Sequence, residues 1–237
     1  MQALVYDPDQ PAGLRLAEAA EPVLAPDQAL VEVRAISLNF GELAYRTGRA
    51  QPGQVHGWDA AGVVVAATED GSGPATGTPV VTFGWTVPGR AAAPCPRRRW
   101  RRGAGLGRLG ATEIVIGLAD VTGSVYGVLD NVGGQQLADA FSLLERGGVA
   151  LSIGKASGQP TTIDLERERH RSSGQRIEPF AMGSGLAEDL GYLVRLLDQG
   201  QLDPQIGWRG SWERAPEAAE ALLSRRVAGK AVLDLPA

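Results

Sequence analysis

The fold is decided by residues 126–154, which read YGVLDNVGGQQLADAFSLLERGGVALSIG. The apolar runs at 126–132 and 149–154 are typical of buried strands. Between them, residues 135–146 repeat apolar side chains at helical spacing, and Gly147 is expected to stop that helix. A strand, a helix and a second strand in this order predict a right-handed unit with parallel strands.

Other segments extend this pattern in both directions. Apolar runs predict strands at 113–117 and 177–182, and amphipathic spacing predicts helices at 186–199 and 216–226. The first third of the chain carries only short β-type runs, at 2–7, 14–17, 29–38, 57–67 and 79–84. We therefore predict a β-rich N-terminal domain, built as a small barrel or sandwich, followed by an α/β domain.

Composition narrows the class of protein. The chain has 237 residues and a formal net charge of −4, with 43% hydrophobic and 21% charged residues. These values exclude global disorder, and the length allows one large or two small domains. No apolar stretch approaches the ~20 residues that cross a bilayer. A signal-peptide pattern is missing from the N-terminus, so we expect a cytoplasmic protein that makes no membrane contact.

Six short motifs and their order along the chain give a further indication of the class of protein. They are SLNFGEL at 37–43, RTG at 46–48, GWDAAG at 57–62, LDNVGG at 129–134, SIG at 152–154 and GKAVL at 229–233. This series resembles the medium-chain dehydrogenase/reductases, in their zinc-free, quinone-oxidoreductase-like branch. The resemblance implies a GroES-like domain at 1–90, to which about 205–237 returns. It also implies a truncated Rossmann-type parallel α/β domain at 107–204.

The same resemblance implies hydride transfer from NADPH to a small-molecule quinone or enone carbonyl. It assigns Asn39 as the catalytic polar group, because an amide can donate to a carbonyl without becoming charged. A plain turn role for Asn39 is an equal alternative. The implied cofactor-binding residues are Asn131, Gly133, Ile153, Gly154, Lys155, Met182 and Lys230. For these, the alternatives are turn glycines and solvated lysines. A homodimer through the edge of the cofactor domain is also implied.

No metal is expected at this site. Zinc-dependent members of the family place Cys, His and acidic ligands in the N-terminal domain. Here Ser37 stands in the corresponding loop, and the chain's only cysteine is Cys95. His56 and Asp59 alone cannot complete a three-ligand zinc site.

The glycine-rich phosphate-binding turn of a complete member is missing. A literal G-x-G-x-x-G occurs at 105–110, but Pro- and Arg-rich residues precede it instead of a strand, so we predict a decoy. The junction at 91–106 has the composition that GC-rich DNA encodes in a wrong frame, which favours an internal deletion with an out-of-frame scar. In the rival interpretation, 97–102 binds phosphate or nucleic acid. The chain's net negative charge argues against that interpretation.

The missing turn leaves two classes of function open. The first is an NADPH-dependent oxidoreductase. The second is a non-redox descendant, either an inactive interaction subunit or a cofactor-free lyase or cyclase. Loss of a central unit would also expose the strands at 113–117 and 126–132. We therefore expect reduced stability, and aggregation unless another chain covers the gap.

Overall fold

The computed structural model describes residues 1–10, 12–44, 50–83, 106–171, 174–181 and 185–236. The strands are β1 Gln2–Tyr6, β2 Leu14–Glu18, β3 Leu30–Leu38, β4 Asp59–Ala66, β5 Pro79–Phe83, β6 Val125–Asp130, β7 Leu144–Ser152, β8 Arg176–Pro179, β9 Ile206–Ser211 and β10 Lys230–Asp234. The helices are α1 Phe40–Ala44, α2 Gly134–Ser142, α3 Leu165–Arg169, α4 Ala187–Asp198 and α5 Ala215–Leu223. The described parts of Met1–Ala92 and Gly185–Ala237 form one compact unit, and those of Ala93–Ser184 form a second.

The first unit is built on a five-stranded sheet in the order β5-β4-β3-β10-β9. Its neighbouring strands are antiparallel except β10 and β9, which are parallel. Strands β1 and β2 form a separate antiparallel pair. The five strands predicted in the first third of the chain all occur, with ends within two residues of the predicted ones.

An alanine-rich helix face packs into the core of the first unit. Helix α5 presents Ala215, Ala218 and Ala219 at helical spacing, and all three are fully buried. They share one apolar cluster with Leu14 and Leu233, which are also fully buried. Because alanine side chains are short, the backbone of α5 can lie close to its neighbours. The core therefore joins the N-terminal strands to the C-terminal segment.

The second unit contains a three-stranded parallel sheet in the order β6-β7-β8. Helix α2 covers it with Leu137 and Phe141, which pack with Leu144 and Ala150 of β7. The predicted parallel pairing within residues 126–154 is confirmed. Its right-handed sense stays a prediction.

Two predictions in this unit are wrong. The apolar run at 113–117 forms no strand, and its Ile116 is 64% exposed. The predicted helix at 135–146 ends at Ser142, and Gly147 lies inside β7 with a φ of 77° instead of stopping a helix. Leu144 belongs to the strand, yet it is buried in the same apolar cluster as the helix residues. In the sequence, Leu144 falls at helical spacing from Leu137 and Phe141, and this spacing led to the prediction of a longer helix.

Strand β6 is an edge strand among the described residues, since it pairs only with β7. Tyr126 and Leu129 of this strand are 62% and 71% exposed. The predicted exposure of the run at 126–132 is confirmed for these side chains. No helix within the described ranges is long and apolar enough to cross a membrane.

Candidate functional site

Asn39 lies between strand β3 and helix α1. The strand ends at Leu38 and the helix begins at Phe40, so Asn39 occupies the N-cap position. Its backbone N–H donates to Oε1 of Glu42 at 2.7 Å. A glutamate three residues after the cap commonly makes this bond, as one half of a capping box. The Glu42 carboxyl is thereby tied to the same turn as Asn39.

The register of the sheet brings Lys230 to Asn39. Ala231 of β10 pairs with Leu38 of the antiparallel strand β3. The residue before Ala231 therefore lies opposite the residue after Leu38. The Nζ of Lys230 donates to Oδ1 of Asn39. The Lys230 side chain is 43% exposed, so its ammonium group also faces solvent.

Asp59, the first residue of β4, completes the arrangement. Its Oδ2 accepts from Ser37 Oγ at 2.8 Å and from Asn39 Nδ2 at 3.2 Å. Its Oδ1 accepts from the Ser37 backbone N–H at 3.0 Å. The Nζ of Lys230 lies 4.0 Å from Asp59 Oδ2. We call Ser37, Asn39, Glu42, Asp59 and Lys230 the polar cluster.

The chemistry of its neighbours fixes the orientation of the Asn39 amide. An ammonium group can only donate and an ionised carboxylate can only accept, so Oδ1 faces Lys230 and Nδ2 faces Asp59. Nδ2 also lies 3.5 Å from Glu42 Oε1. Both ends of the amide are thus engaged within the polar cluster. Lys230 has three N–H groups, and Asn39 takes one of them.

Glu42 is the buried acid of the polar cluster, with 3% of the residue exposed. Burial raises the pKa of its carboxyl to about 7, and the charge of Asp59 adds to that effect. The backbone N–H of Asn39 and the charge of Lys230 oppose the increase in pKa. Oε2 has no hydrogen-bond partner in the described part of the chain. Glu42 therefore changes its protonation state near neutral pH.

The described residues were expected to hold no metal, and their donor groups can be compared with those of a zinc site. Within the described ranges, no three His, Cys, Asp or Glu side chains come together as a metal-binding group. Ser37, which lies in strand β3 and not in the loop expected from the resemblance, donates its hydroxyl to Asp59.

A second set of predicted residues meets in the loops that follow β6 and β7. A Cβ on Gly154 would lie 2.7 Å from the backbone oxygen of Asn131, and one on Gly133 would lie 3.5 Å from Cγ of Lys155. The backbone N–H of Ala156 donates to the Asn131 carbonyl at 3.1 Å. The side chains of Asn131 and Lys155 are exposed. Carboxyl ends of parallel strands are where open α/β sheets bind ligands.

The backbone N–H groups of the turn into α2 donate to side chains of the protein itself. Asp130 accepts from the backbone N–H groups of Val132 and Gly133, at 3.2 and 2.8 Å. The N–H of Gly134 donates to Thr161 Oγ1 at 3.0 Å. Gly133 and Gly134 adopt φ values of 68° and 62°, which glycine adopts readily. These N–H groups are therefore already used and do not point to a bound phosphate.

The remaining predicted residues differ in their placement. Ile153, directly after β7, is 40% exposed, and its N–H donates to the Asp130 carbonyl at 2.8 Å. Met182 lies outside the described residues, as do most residues of the junction at 91–106. Lys230 lies in the first unit, whereas Asn131, Gly133, Ile153, Gly154 and Lys155 lie in the second.

Sequence reasoning missed Glu42 and the bonded role of Ser37 and Asp59. The signal for Glu42 was present, because Asn39 followed three residues later by a glutamate is a capping-box spacing. Asp59 was considered only as a metal ligand. Its pairing with Ser37 depends on the β3–β4 register, which one sequence does not reveal.

Two family models match the chain. The model described as zinc-binding dehydrogenase matches residues 109–233, more than half of the chain. The model described as alcohol dehydrogenase GroES-like domain matches residues 25–134. No curated protein matches the sequence significantly.

Solved structures with the same fold include several reductases. Quinone oxidoreductase from Coxiella burnetii is 18% identical, with a TM-score of 0.77, covering 100% of this chain and 99% of that one. Escherichia coli quinone oxidoreductase, complexed with NADPH, is 18% identical, with a TM-score of 0.73 and coverage of 98% and 99%. CurK enoyl reductase is 15% identical, with a TM-score of 0.71 and coverage of 99% of each chain.

At 15–18% sequence identity, the similarity to solved structures establishes the fold. The family models establish that the chain is a member of the family. The expected GroES-like N-terminal domain and Rossmann-like parallel domain are both confirmed. The chain belongs to the medium-chain dehydrogenase/reductase superfamily and has the fold of its quinone-oxidoreductase-like branch.

Proposed function

We propose that this protein is a zinc-independent, NADPH-dependent oxidoreductase of quinones or enones. The observation that carries the proposal is the half-exposed ammonium of Lys230, held on Asn39 beside Asp59. When a hydride is added to a conjugated carbonyl, negative charge develops on its oxygen. A preorganised cationic donor stabilises that charge without first reorganising. Lys230 has the chemistry to supply such a donor.

Within this proposal, Asn39 acts by holding Lys230. Its Oδ1 accepts from the ammonium while its Nδ2 is anchored on Asp59, so the amide fixes the lysine relative to β4. Asn39 keeps its proposed place at the site, and the charge-stabilising N–H comes from Lys230. The proton that neutralises the product oxygen can then pass from Lys230, which solvent reprotonates.

NADPH would supply the hydride when bound. The exposed residues after β6 and β7 suit its nicotinamide half, because Ile153 offers an apolar surface and Asn131 offers hydrogen bonds. Lys155 offers a positive charge at the same edge of the sheet. The Escherichia coli quinone oxidoreductase of the same fold is complexed with NADPH, which supports this choice.

A non-redox descendant is the second candidate, and one observation favours it. The first N–H groups of the turn into α2 donate to Asp130 and Thr161. Helix N-termini bind phosphate through free N–H groups. The turn into α2 therefore offers no substitute for the missing glycine-rich phosphate-binding turn, which favours the non-redox descendant.

Titration of NADPH fluorescence with the purified chain separates the two candidates. We expect saturable binding in the micromolar range, weakened in Lys155→Met. Consumption of NADPH with a quinone or enone acceptor, unchanged by a zinc chelator, would then identify the reaction. Absence of saturation up to millimolar NADPH would favour the non-redox descendant.

A further inference from the structure

Glu42 has two carboxyl oxygens in different situations. Oε1 accepts the backbone N–H of Asn39 at 2.7 Å and lies 3.5 Å from its Nδ2. Oε2 is buried and has no hydrogen-bond partner among the described residues. A capping role accounts for Oε1 only. A buried carboxylate with a bare oxygen is costly, so this group favours its protonated form.

The charges that face Glu42 in the described part of the chain come from two strands. Asp59 of β4 contributes a negative charge and Lys230 of β10 a positive one. Arg225, just after helix α5, lies 3.6 Å from the ring centroid of Phe40, the first residue of the helix that carries Glu42. With Glu42 protonated, Asp59 and Lys230 balance each other. With Glu42 ionised, two carboxylates share one ammonium group.

We infer that Glu42 is a positioning residue that regulates the site, its proton controlling how strongly Lys230 is held on Asn39. Ionised Glu42 attracts the Lys230 ammonium into the polar cluster. Its negative charge then reduces the stabilisation that the ammonium can give to a substrate oxygen. Protonated Glu42 leaves that charge available. The consequence for catalysis rests on the proposed role of Lys230, whereas the coupling itself does not.

The direction of the effect follows from the same contacts. Burial and Asp59 raise the pKa of Glu42 to about 7, so the switch falls near neutral pH. Charge stabilisation by Lys230 should therefore weaken as the pH rises through about 7.

The lysine content makes the coupling directly observable. The chain contains two lysines, Lys155 and Lys230. Labelling lysine Cε with carbon-13 thus gives two NMR signals, and Lys155→Arg assigns them. In the chain without cofactor or substrate, we expect the Lys230 signal to shift in one step near pH 7. The step should vanish in Glu42→Gln, which keeps an acceptor for the Asn39 N–H.

Two controls separate this effect from others. Glu168→Gln, in the second unit, removes another buried carboxyl whose Oε2 has no hydrogen-bond partner in the described ranges, and it should leave the step in place. His56→Gln changes a side chain outside the polar cluster and should also leave the step in place. Asp59→Asn should move the midpoint to lower pH, because the Asp59 charge raises the pKa of Glu42.

A wild-type Lys230 signal without a step between pH 5 and ~9 would overturn the inference, and so would a step that persists in Glu42→Gln. Should Glu42→Gln not fold, an Asp59→Asn midpoint equal to that of the wild type would overturn it. The measurement uses no coenzyme. Failure to bind NADPH would therefore count against the proposed function and leave the coupling standing.

Discussion

The ammonium of Lys230 donates a hydrogen bond to the side-chain oxygen of Asn39, across 191 residues of sequence. The contact extends the β10–β3 pairing by one side-chain bond, beyond Ala231 and Leu38. It brings together two residues that the family resemblance assigned to different roles. Neither residue shows this relationship in its own stretch of sequence.

Removing the ammonium should impair reduction. Hydrogen bonds to charged groups contribute about 1.5–3 kcal/mol, so Lys230→Met should lower kcat/KM for a quinone or enone by about 10- to 100-fold. Lys230→Arg keeps the positive charge and should lower kcat/KM by less. Steady-state rates at saturating NADPH check this. Unchanged kcat/KM in Lys230→Met would show that Lys230 stabilises no charge in the reaction.

Glu42 should also make stability depend on pH. Its pKa lies near 7 in the folded chain, raised by burial from an ordinary 4.5. The folded state therefore holds a proton that the unfolded state has released. This contribution is fully present below pH 4.5 and is lost as the pH rises through about 7. It amounts to on the order of 3 kcal/mol.

Glu42→Gln should remove that dependence. Near pH 8, the variant should be more stable than the wild type, whereas near pH ~4 the two should be similar. Urea unfolding at several pH values gives the free-energy difference, in which all other titrating groups cancel. A difference that does not change with pH would show that Glu42 ionises in the folded chain as it does in water.

A pair of glycine substitutions tests the packing of the loops in the second unit. In Gly154→Ala, the added Cβ would lie 2.7 Å from the Asn131 carbonyl oxygen, so the loop must move. In Gly127→Ala, the added Cβ would lie 3.9 Å from the backbone oxygen of Val149, an ordinary van der Waals distance. We expect Gly154→Ala to cost about 1–3 kcal/mol and Gly127→Ala less than about 0.5 kcal/mol. Equal unfolding midpoints would refute the close approach.

The exposed edge strand β6 should promote aggregation. Leu129, 71% exposed, adds an apolar side chain to this strand, which pairs only with β7 among the described residues. Leu129→Lys should slow the growth of light scattering on warming, and Leu129→Ala should do so less, because only lysine adds repulsion. Unfolding free energies should stay within about 0.5 kcal/mol of the wild type. Equal scattering by all three proteins would place the aggregating surface elsewhere.

Local sequence patterns predicted the strands of the first third well, because the residues of each strand suit a partly buried position in a sheet. The run at 113–117 failed for a physical reason: an apolar run becomes a strand only beside a partner, and no described strand pairs with it. Gly147 failed because a positive φ can end a helix or bend a strand equally well.

The candidate site was predictable only in part. Asn39 and Lys230 came from the order of family motifs, which says nothing of their mutual bond. Glu42 had a readable spacing, but its burial depends on the packing of the whole first unit. The register between β3, β4 and β10 brings these residues together, and it cannot be read from a single sequence.

The position of β10, between β3 and β9, has a consequence for how the chain is made. On the ribosome, β3 emerges long before β10, so the side of β3 that pairs with β10 has no neighbour until Lys230–Asp234 has been made. Closing a contact over such a long stretch of chain is slow, and waiting strand edges are open to wrong pairing. The pairing of β3 on both sides is therefore completed only when β10 emerges. Until it emerges, the polar cluster has no lysine.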